Sequence, residues 1–370
     1  MNDWKTVKLS DICILEKGQQ IDTSLLDDSK PYRYINGGIK ESGYFDNFNT
    51  SGESVLISEG GASCGYINYV NENFWCGCHC YRLHDIKVFP KYLFHALKAN
   101  QQRIMALRTG SAMPNIQKST IQKFELKIHD DSTTQEKVST MLDKCNELIE
   151  KHKQTLEKYE TLIKSRFIEM FGDNPIENGK WKVEKLGNLG LCKNGMNFSY
   201  EDNGFEINCL GVGDFKDNAV ISNCEKLPVI SLNEKPSEEY LLKDNDIVFV
   251  RSNGNKELVG RSVLVHPRVL TTFSGFCIRF RLSTDSINHL FLLQFLKMPN
   301  TRKNMAGRGA NIQNLNQQIL SNLDIPVPQI ELQNDFAAFV QQIDKSKFVV
   351  QKSLEKAETL YKSLMQEYFG

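Results

Sequence analysis

The chain contains two copies of one sequence pattern, and this internal repeat limits the folds available to it. The start of each copy shares a Trp-Lys pair, spaced apolar residues and a glycine: Trp4, Lys5, Leu9, Ile12 and Gly18, then Trp181, Lys182, Leu186, Leu189 and Gly195. Each copy later carries an Asn-Ile-Gln signature, at 115–117 and 311–313, before an alternating apolar strand. Because 370 residues exceed the ~100–200 of one domain, we expect two related domains.

Each copy is predicted to be rich in strands and to contain a short helix. Runs of β-branched and aromatic residues bounded by Gly, Asn or Pro predict strands at 55–58, 65–70, 246–250, 262–265 and 276–282. Amphipathic segments at 92–107 and 290–305 predict one short helix per copy. The predicted fold class is α+β, with two pseudo-twofold-related domains of mixed β-sheet and short helices joined by a long antiparallel two-helix coiled coil.

Heptad spacing predicts the two long helices. Apolar and seam residues recur every seven positions, at Leu142, Ile149, Leu156, Ile163 and Met170, and at Val340, Lys347, Leu354, Tyr361 and Tyr368. Both copies end on the same dipeptide, Phe171-Gly172 and Phe369-Gly370. Pairing within the chain would give a strut about 55 Å long, at ~1.5 Å per residue, that separates the domains. The alternative is two ordinary core helices without a spacer role.

Charge is distributed unevenly although 45 basic and 45 acidic residues cancel. Two stretches, 86–124 and 286–323, contain no acid and accumulate basic residues: Lys87, Lys91, Lys98, Arg103, Arg108, Lys118 and Lys123, then Lys297, Arg302, Lys303 and Arg308. Segregated basic charge is typical of nucleic-acid binding even when the net charge is zero. The sequence therefore predicts a DNA partner.

Catalytic and metal motifs are not evident in the sequence. It contains no phosphate-binding loop, His-Glu-x-x-His, nucleophile elbow, full dinucleotide fingerprint or Asn/Asp-Pro-Pro-aromatic run, so we expect no catalysis by this chain alone. Cys76, Cys78, His79 and Cys80 could in principle hold zinc, but alternating cysteines on a strand favour buried thiols. The ten cysteines are expected to be reduced.

A membrane location is not expected from the sequence. It has no apolar run of about 18 residues and no apolar core of the signal type at its start. We therefore expect a soluble, cytoplasmic protein without a membrane partner.

Polar, glycine-containing loops supply the candidate DNA-binding residues. Arginine can pair with guanine and asparagine with adenine, while other polar groups hold the phosphates. The candidates are Gly60, Ser63, Arg108, Ser111, Asn115, Arg251, Ser252, Asn253, Lys256, Arg302, Arg308 and Asn311. For each residue alone, a solvated turn is an equally good interpretation.

The ordered repeat, the Asn-Ile-Gln signatures, Pro326-Val327-Pro328 and the helices ending in Phe-Gly resemble the specificity (S) subunit of type I restriction-modification systems over the whole chain. The resemblance implies target-recognition domains at 1–132 and 173–330 and spacer helices at 133–172 and 331–370. Each domain would read half of a split, asymmetric DNA site, and the helices would set the unread gap. In the first copy, 127–130 replaces the Pro-x-Pro pattern, which leaves that junction open.

The resemblance also implies the partners. Two methylation subunits, which bind S-adenosylmethionine, would methylate adenine, and the complex can recruit motor-nuclease restriction subunits. This chain would hold no cofactor. Three rival hypotheses are a stand-alone sequence-specific DNA-binding regulator, a fused restriction enzyme and a scaffold of paired helices without a nucleic-acid role. The missing catalytic motifs disfavour the fused enzyme, and the basic stretches disfavour the scaffold.

Overall fold

A computed structural model describes residues 4–110, 113–199, 201–215, 219–306 and 314–370. The chain divides into two compact units. Unit 1 comprises Met1–Thr155 and Val350–Gly370, and unit 2 comprises Leu156–Val349. Within the described ranges, no helix combines the length and the apolar character needed to cross a membrane.

Unit 1 contains three small sheets and short helices. In chain order its elements are β1 (Trp4–Lys8), α1 (Leu9–Ile12), β2 (Ile14–Lys17), β3 (Tyr32–Ile35), β4 (Gly43–Phe45), β5 (Ser54–Ser58), β6 (Ile67–Val70), β7 (Trp75–Cys76), β8 (Cys80–His84), α2 (Pro90–Ala99), α3 (Gln101–Met105), α4 (Lys118–Gln122), β9 (Glu125–His129) and the first part of α5 (Ser132–Phe171). The sheets have the strand orders β2-β8-β5-β6, β4-β3-β7 and β1-β9.

Unit 2 repeats this layout. Its elements are β10 (Lys182–Lys185), α6 (Leu186–Leu189), β11 (Gly190–Asn194), β12 (Phe205–Leu210), β13 (Val220–Ile221), β14 (Val229–Leu232), β15 (Asp246–Val250), β16 (Ser262–Val265), β17 (Thr271–Phe273), β18 (Cys277–Leu282), α7 (His289–Leu296), α8 (Pro299–Ala306), α9 (Gln317–Ser321), β19 (Asp324–Val327) and the first part of α10 (Ile330–Phe369). The orders β11-β18-β15-β16-β13, β14-β12-β17 and β10-β19 match unit 1, with β13 added. The α+β fold class predicted from the sequence is confirmed.

The central strand of each larger sheet is buried on both faces. In β15, Ile247 and Phe249 join one core cluster while Val248 and Val250 join another. This double burial explains why the sequence shows a continuous apolar run rather than an alternating one. The matching strand β5 has the same property.

The glycines at the start of each copy permit a close approach of two backbone segments. A Cβ atom on Gly18 would lie 2.3 Å from the carbonyl oxygen of Gly77, and one on Gly195 would lie 2.1 Å from that of Ser274. The amide of Gly18 donates to the carbonyl of Cys80, and that of Gly195 donates to the carbonyl of Cys277. These positions therefore require glycine for steric reasons.

Each long helix begins in one unit and ends in the other. Unit 1 holds the start of α5 and the end of α10, where the rings of Phe369 and Tyr92 lie 5.1 Å apart. Unit 2 holds the end of α5 and the start of α10, where the rings of Phe171 and Phe291 lie 4.7 Å apart. In each unit the first part of one long helix thus accompanies the last part of the other, and the repeated Phe-Gly dipeptide marks where a helix ends against the core of a unit.

The heptad positions form the contact face of both helices. Leu142, Ile149 and Ile163 are buried on α5, and Val340 and Leu354 are buried on α10. Lys347, a polar member of the seam, forms an ion pair with Glu160 inside unit 2.

A buried glutamine fastens the start of each long helix to its own domain. In unit 1, Gln135 accepts a hydrogen bond from the amide of Phe89 and donates to the carbonyl of His129. In unit 2, Gln333 accepts from the amide of Asn288 and donates to the carbonyl of Pro328. The junction at 127–130 therefore matches the Pro-x-Pro junction.

The single short helix predicted in each copy is wrong, because both segments are split. In unit 1 the break lies at Asn100, whose side-chain amide donates to the carbonyl of Ala96. In unit 2 the break precedes Pro299, which has no amide hydrogen for a continuing helix.

Candidate nucleic-acid interface

Three backbone segments meet at one end of the larger sheet in unit 1. We call residues 59–64, 77–80 and 113–116 tip 1. The amide of Glu59 donates to the carbonyl of His79 at 2.8 Å, and the amide of Ile116 donates to the carbonyl of Glu59 at 2.9 Å. The amide of Gly61 donates to the carbonyl of Pro114 at 2.9 Å. The loop after β5 is thus held between two neighbouring segments.

Unit 2 builds the same arrangement from residues 251–255, 274–277 and 314–316, which we call tip 2. The amide of Arg251 donates to the carbonyl of Phe276 at 2.8 Å, and the amide of Leu315 donates to the carbonyl of Arg251 at 2.8 Å. Ser252 and Asn314 form an isolated antiparallel bridge, as Gly60 and Asn115 do in tip 1. Both units therefore display polar loops on an equivalent, backbone-bonded frame.

The hydrogen bonding corrects the sequence match between the two signatures. Ile116 and Leu315 make the equivalent bond, so Asn115 corresponds to Asn314. The sequence match to 311–313 is displaced by three residues, and 311–313 themselves lie outside the described residues. The short helices that follow, α4 and α9, begin at 118 and 317 and agree with the corrected register.

The first residue of the loop carries opposite charge in the two tips. Glu59 is buried and accepts hydrogen bonds from Lys17 at 2.8 Å and from the hydroxyl of Tyr81 at 3.0 Å. Burial raises the pKa of Tyr81, and its bond to Glu59 adds to the shift. At the matched position Arg251 is half-buried, and its Nη1 donates to the carbonyl of Gly275 at 3.3 Å. The tips thus share a frame but present different chemistry.

The structure brings several of the predicted residues in unit 1 together and assigns internal bonds to one of them. Gly60 and Asn115 are bridged in tip 1. The Ser63 hydroxyl donates to the carbonyl of Gly37 at 2.7 Å, so it braces the loop. Arg108 is exposed, and Ser111 lies outside the described residues.

In unit 2, Arg251 and Ser252 lie in tip 2, whereas Arg302 is bonded within the protein. Asn253 accepts from the amide of Asn255 in a local turn. Arg302 donates from Nη2 to the carbonyls of Glu257, at 2.7 Å, and Val259, at 3.2 Å. It therefore ties α8 to the later part of the loop that begins with residues 251–255 of tip 2. Arg308, Asn311 and the side chain of Lys256 lie outside the described residues.

Several basic residues of the acid-free stretches also have internal partners. Lys91 forms an ion pair with Asp143 at 2.8 Å. Lys98 lies 3.8 Å from the centre of the Tyr66 ring, and burial lowers the pKa of Lys98 to about 8. Burial likewise lowers the pKa of Lys297 at the matched position in unit 2. Some basic residues of the acid-free stretches are therefore engaged within the protein and do not face a ligand.

The cysteine-rich segment is a core strand and turn. Cys76 and Cys80 are buried in a cluster with Ile35, Leu56 and Phe74. A hydrogen bond with Cys80, followed by burial, raises the pKa of Cys76. Across the described ranges, no group of three or more His, Cys, Asp or Glu side chains is arranged to hold a metal ion. The burial of Cys76 and Cys80 agrees with the interpretation of these residues as buried thiols.

Sequence reasoning missed His79, Phe276 and Asn314 as candidates in the tips. His79 and Phe276 occupy matched turns. Each turn is closed by a backbone hydrogen bond, in which the amide of Cys80 donates to the carbonyl of Gly77 and the amide of Cys277 donates to the carbonyl of Ser274. The matched Cys80 and Cys277 were a usable signal, because they align β8 of the first copy with β18 of the second copy.

The comparisons with known proteins agree with the repeated architecture. The family model described as "Type I restriction modification DNA specificity domain" matches residues 1–160 and 178–358. A putative type I specificity subunit of Mycoplasma genitalium is 29% identical over 187 residues, covering 50% of this chain and 49% of that protein. The StySPI type I restriction enzyme specificity subunit of Salmonella potsdam is 25% identical over 311 residues, covering 78% of this chain and 66% of that protein.

The alignments span only about half or less of the first curated relatives, 49% of the Mycoplasma genitalium protein and 34% of a Mycoplasma pneumoniae specificity subunit. The solved S subunit of a type I restriction-modification system from M. genitalium shares the fold, with a TM-score of 0.72, 20% identity and coverage of 99% of this chain and 96% of that one. Since the family model matches both halves, this chain belongs to the family of type I restriction modification DNA specificity domains.

Proposed function

We propose that this chain is the DNA sequence-recognition subunit of a type I restriction-modification complex. The observation that carries the proposal is the pair of tips, which repeat one hydrogen-bonded frame with different side chains. A repeated frame with variable side chains suits the reading of two different half-sites by one chain. The target-recognition domains would be residues 1–132 and 173–330, with spacer helices at 133–172 and 331–370.

The division of labour follows from this proposal. The chain would itself be non-catalytic and cytoplasmic, and would bind double-stranded DNA. Two methylation subunits carrying S-adenosylmethionine would methylate adenine near the bound half-sites, and motor-nuclease subunits would cleave. The candidate contacts are Gly60, Asn115 and Arg108 on unit 1 and Arg251 and Ser252 on unit 2, to which the structure adds Asn314. The remaining candidates predicted from the sequence are Ser111, Asn253, Lys256, Arg308 and Asn311, whereas Ser63 and Arg302 would support the loops through their internal hydrogen bonds.

The test is long-read sequencing of methylated adenines in the host with and without this gene. A split, asymmetric methylated motif that disappears on deletion supports the proposal. Methylation that is unchanged by the deletion, together with tight site-specific DNA binding by the chain alone, would instead indicate a stand-alone regulator.

The spacer role has its own test. Insertion of one heptad into each long helix, after Lys158 and after Lys347, keeps the seam in phase and adds about 10 Å at ~1.5 Å per residue. The gap between the half-sites should change while their sequences stay the same. An unchanged gap contradicts the spacer role.

A further inference from the structure

Tip 2 displays an aromatic side chain to solvent on a tight turn. The turn is closed by the amide of Cys277, which donates to the carbonyl of Ser274 at 2.8 Å. Cys277 is fully buried, yet the neighbouring Phe276 is 61% exposed. Single exposed apolar residues are common on protein surfaces, so the exposure alone carries no function. The surroundings of the ring are what distinguish it.

The backbone that carries Phe276 is held from three sides. Its carbonyl accepts from the amides of Arg251, at 2.8 Å, and Ser252, at 3.4 Å. The Arg251 guanidinium donates to the neighbouring carbonyl of Gly275 at 3.3 Å. Gly275 is packed so closely that a Cβ atom there would lie 2.0 Å from Oδ1 of Asn197. The ring is therefore presented from a fixed position, as a recognition element requires.

Three residues linked to this turn through their backbones, Arg251, Ser252 and Asn314, carry side chains that can hydrogen bond. The carbonyl of Phe276 is bonded to Arg251 and Ser252, and Ser252 is bridged to Asn314. Tip 2 therefore combines an exposed apolar ring with residues that can donate and accept hydrogen bonds. In the major groove of DNA the base edges show the same composition: donors and acceptors, with the C5 methyl group of thymine as the apolar feature.

Building on the proposed function, we propose that Phe276 contacts the C5 methyl group of one thymine in the half-site read by unit 2. The contact selects a T·A pair at that position, because G·C and C·G pairs have no methyl group and an A·T pair carries it on the opposite strand. Tip 1 carries His79 at the matched position of the matched turn. Its polar ring gives unit 1 no equivalent thymine preference, so the two tips differ in chemistry at this position.

The experiment deletes the methyl group from the DNA and the ring from the protein. The full-length chain is assembled with its methylation subunits, and its bipartite site is mapped. Each thymine of the site is then replaced singly by deoxyuridine, which lacks only the methyl group. Binding is measured for the wild type, Phe276→Ala, Phe276→Leu and, as the matched control, His79→Ala.

One thymine in one half-site is expected to respond. Deoxyuridine there weakens wild-type binding about fourfold, the effect of one buried methyl group. Phe276→Ala binds the thymine and deoxyuridine DNAs equally, and Phe276→Leu retains part of the difference between them. His79→Ala keeps the full wild-type difference at this thymine. A methyl effect of equal size in the wild type and Phe276→Ala overturns the inference, as does a site in which no thymine methyl matters. A complex that shows no bipartite site at all refutes the proposed function instead.

Discussion

Substitution of Phe369 by alanine should destabilise the domain formed by the beginning of the chain. Phe369 is only 6% exposed, and its ring packs 5.1 Å from that of Tyr92 in the core of unit 1. Truncation of a buried phenylalanine to alanine costs about 3–5 kcal/mol, because burial is lost and a cavity remains. Phe171→Ala is the matched control, since Phe171 is 1% exposed and packs against Phe291 in unit 2.

Hydrogen exchange followed by mass spectrometry distinguishes the two units. A loss of about 3–5 kcal/mol accelerates exchange through unit opening by roughly a hundred- to several thousandfold, at about 1.4 kcal/mol per factor of ten. In Phe369→Ala the acceleration should appear in β5 and β8, and in Phe171→Ala it should appear in β15 and β18. Faster exchange of β15 and β18 but not of β5 and β8 in Phe369→Ala would refute the assignment of the end of α10 to unit 1.

Three further changes test other parts of the structure. Gln135→Leu leaves the amide of Phe89 unpaired, and Gln333→Leu does the same to the amide of Asn288, so each should lower the free energy of unfolding by about 1–3 kcal/mol in denaturant titration. Equal stability of the variants and the wild type would contradict the role of the glutamines. Gly18→Ala and Gly195→Ala force a Cβ atom against backbone and should each cost about 1–3 kcal/mol, whereas Gly213→Ala, where a Cβ meets no atom within 4 Å, should leave the melting temperature nearly unchanged. Burial lowers the pKa of His95 below 6.5, with Asp143 opposing the shift, so the folded state favours neutral His95 and stability should fall as the pH drops below about 6.5. His95→Gln introduces the residue found at the matched Gln294 of unit 2 and should reduce this pH dependence of the melting temperature; an unaltered dependence would contradict the prediction.

The architecture was predictable because its signals are long and repeated. The heptads that contain Leu142 and Ile149 extend over several turns, so a single polar residue does not remove the pattern that predicts the helix. The strands around Val55 and Ile247 were visible as β-branched runs. The break at Asn100 was missed because an asparagine in the sequence does not by itself end a helix, and its side-chain bond to the carbonyl of Ala96 is visible only in the structure.

The candidate site was harder to predict, because a residue's role depends on partners distant in sequence. Arg302 looks like a surface cation, yet it bonds to carbonyls 45 and 43 residues earlier in the chain. Asn314 was overlooked because the Asn-Ile-Gln similarity aligned 115–117 with 311–313, whereas the backbone pairing in the structure aligns Asn115 with Asn314. The exposure of Phe276 also depends on a turn that sequence alone does not place on a surface.

The discontinuous composition of unit 1 has a consequence for biosynthesis. Its final segment, Val350–Gly370, leaves the ribosome only after all of Leu156–Val349 has been made. At ~5–20 residues per second this delay is about 10–40 s, during which the apolar seam of the first long helix has no partner from the second. Nascent chains should therefore depend on chaperones in this interval, and a premature stop near position 350 would damage the part of the protein that was translated first.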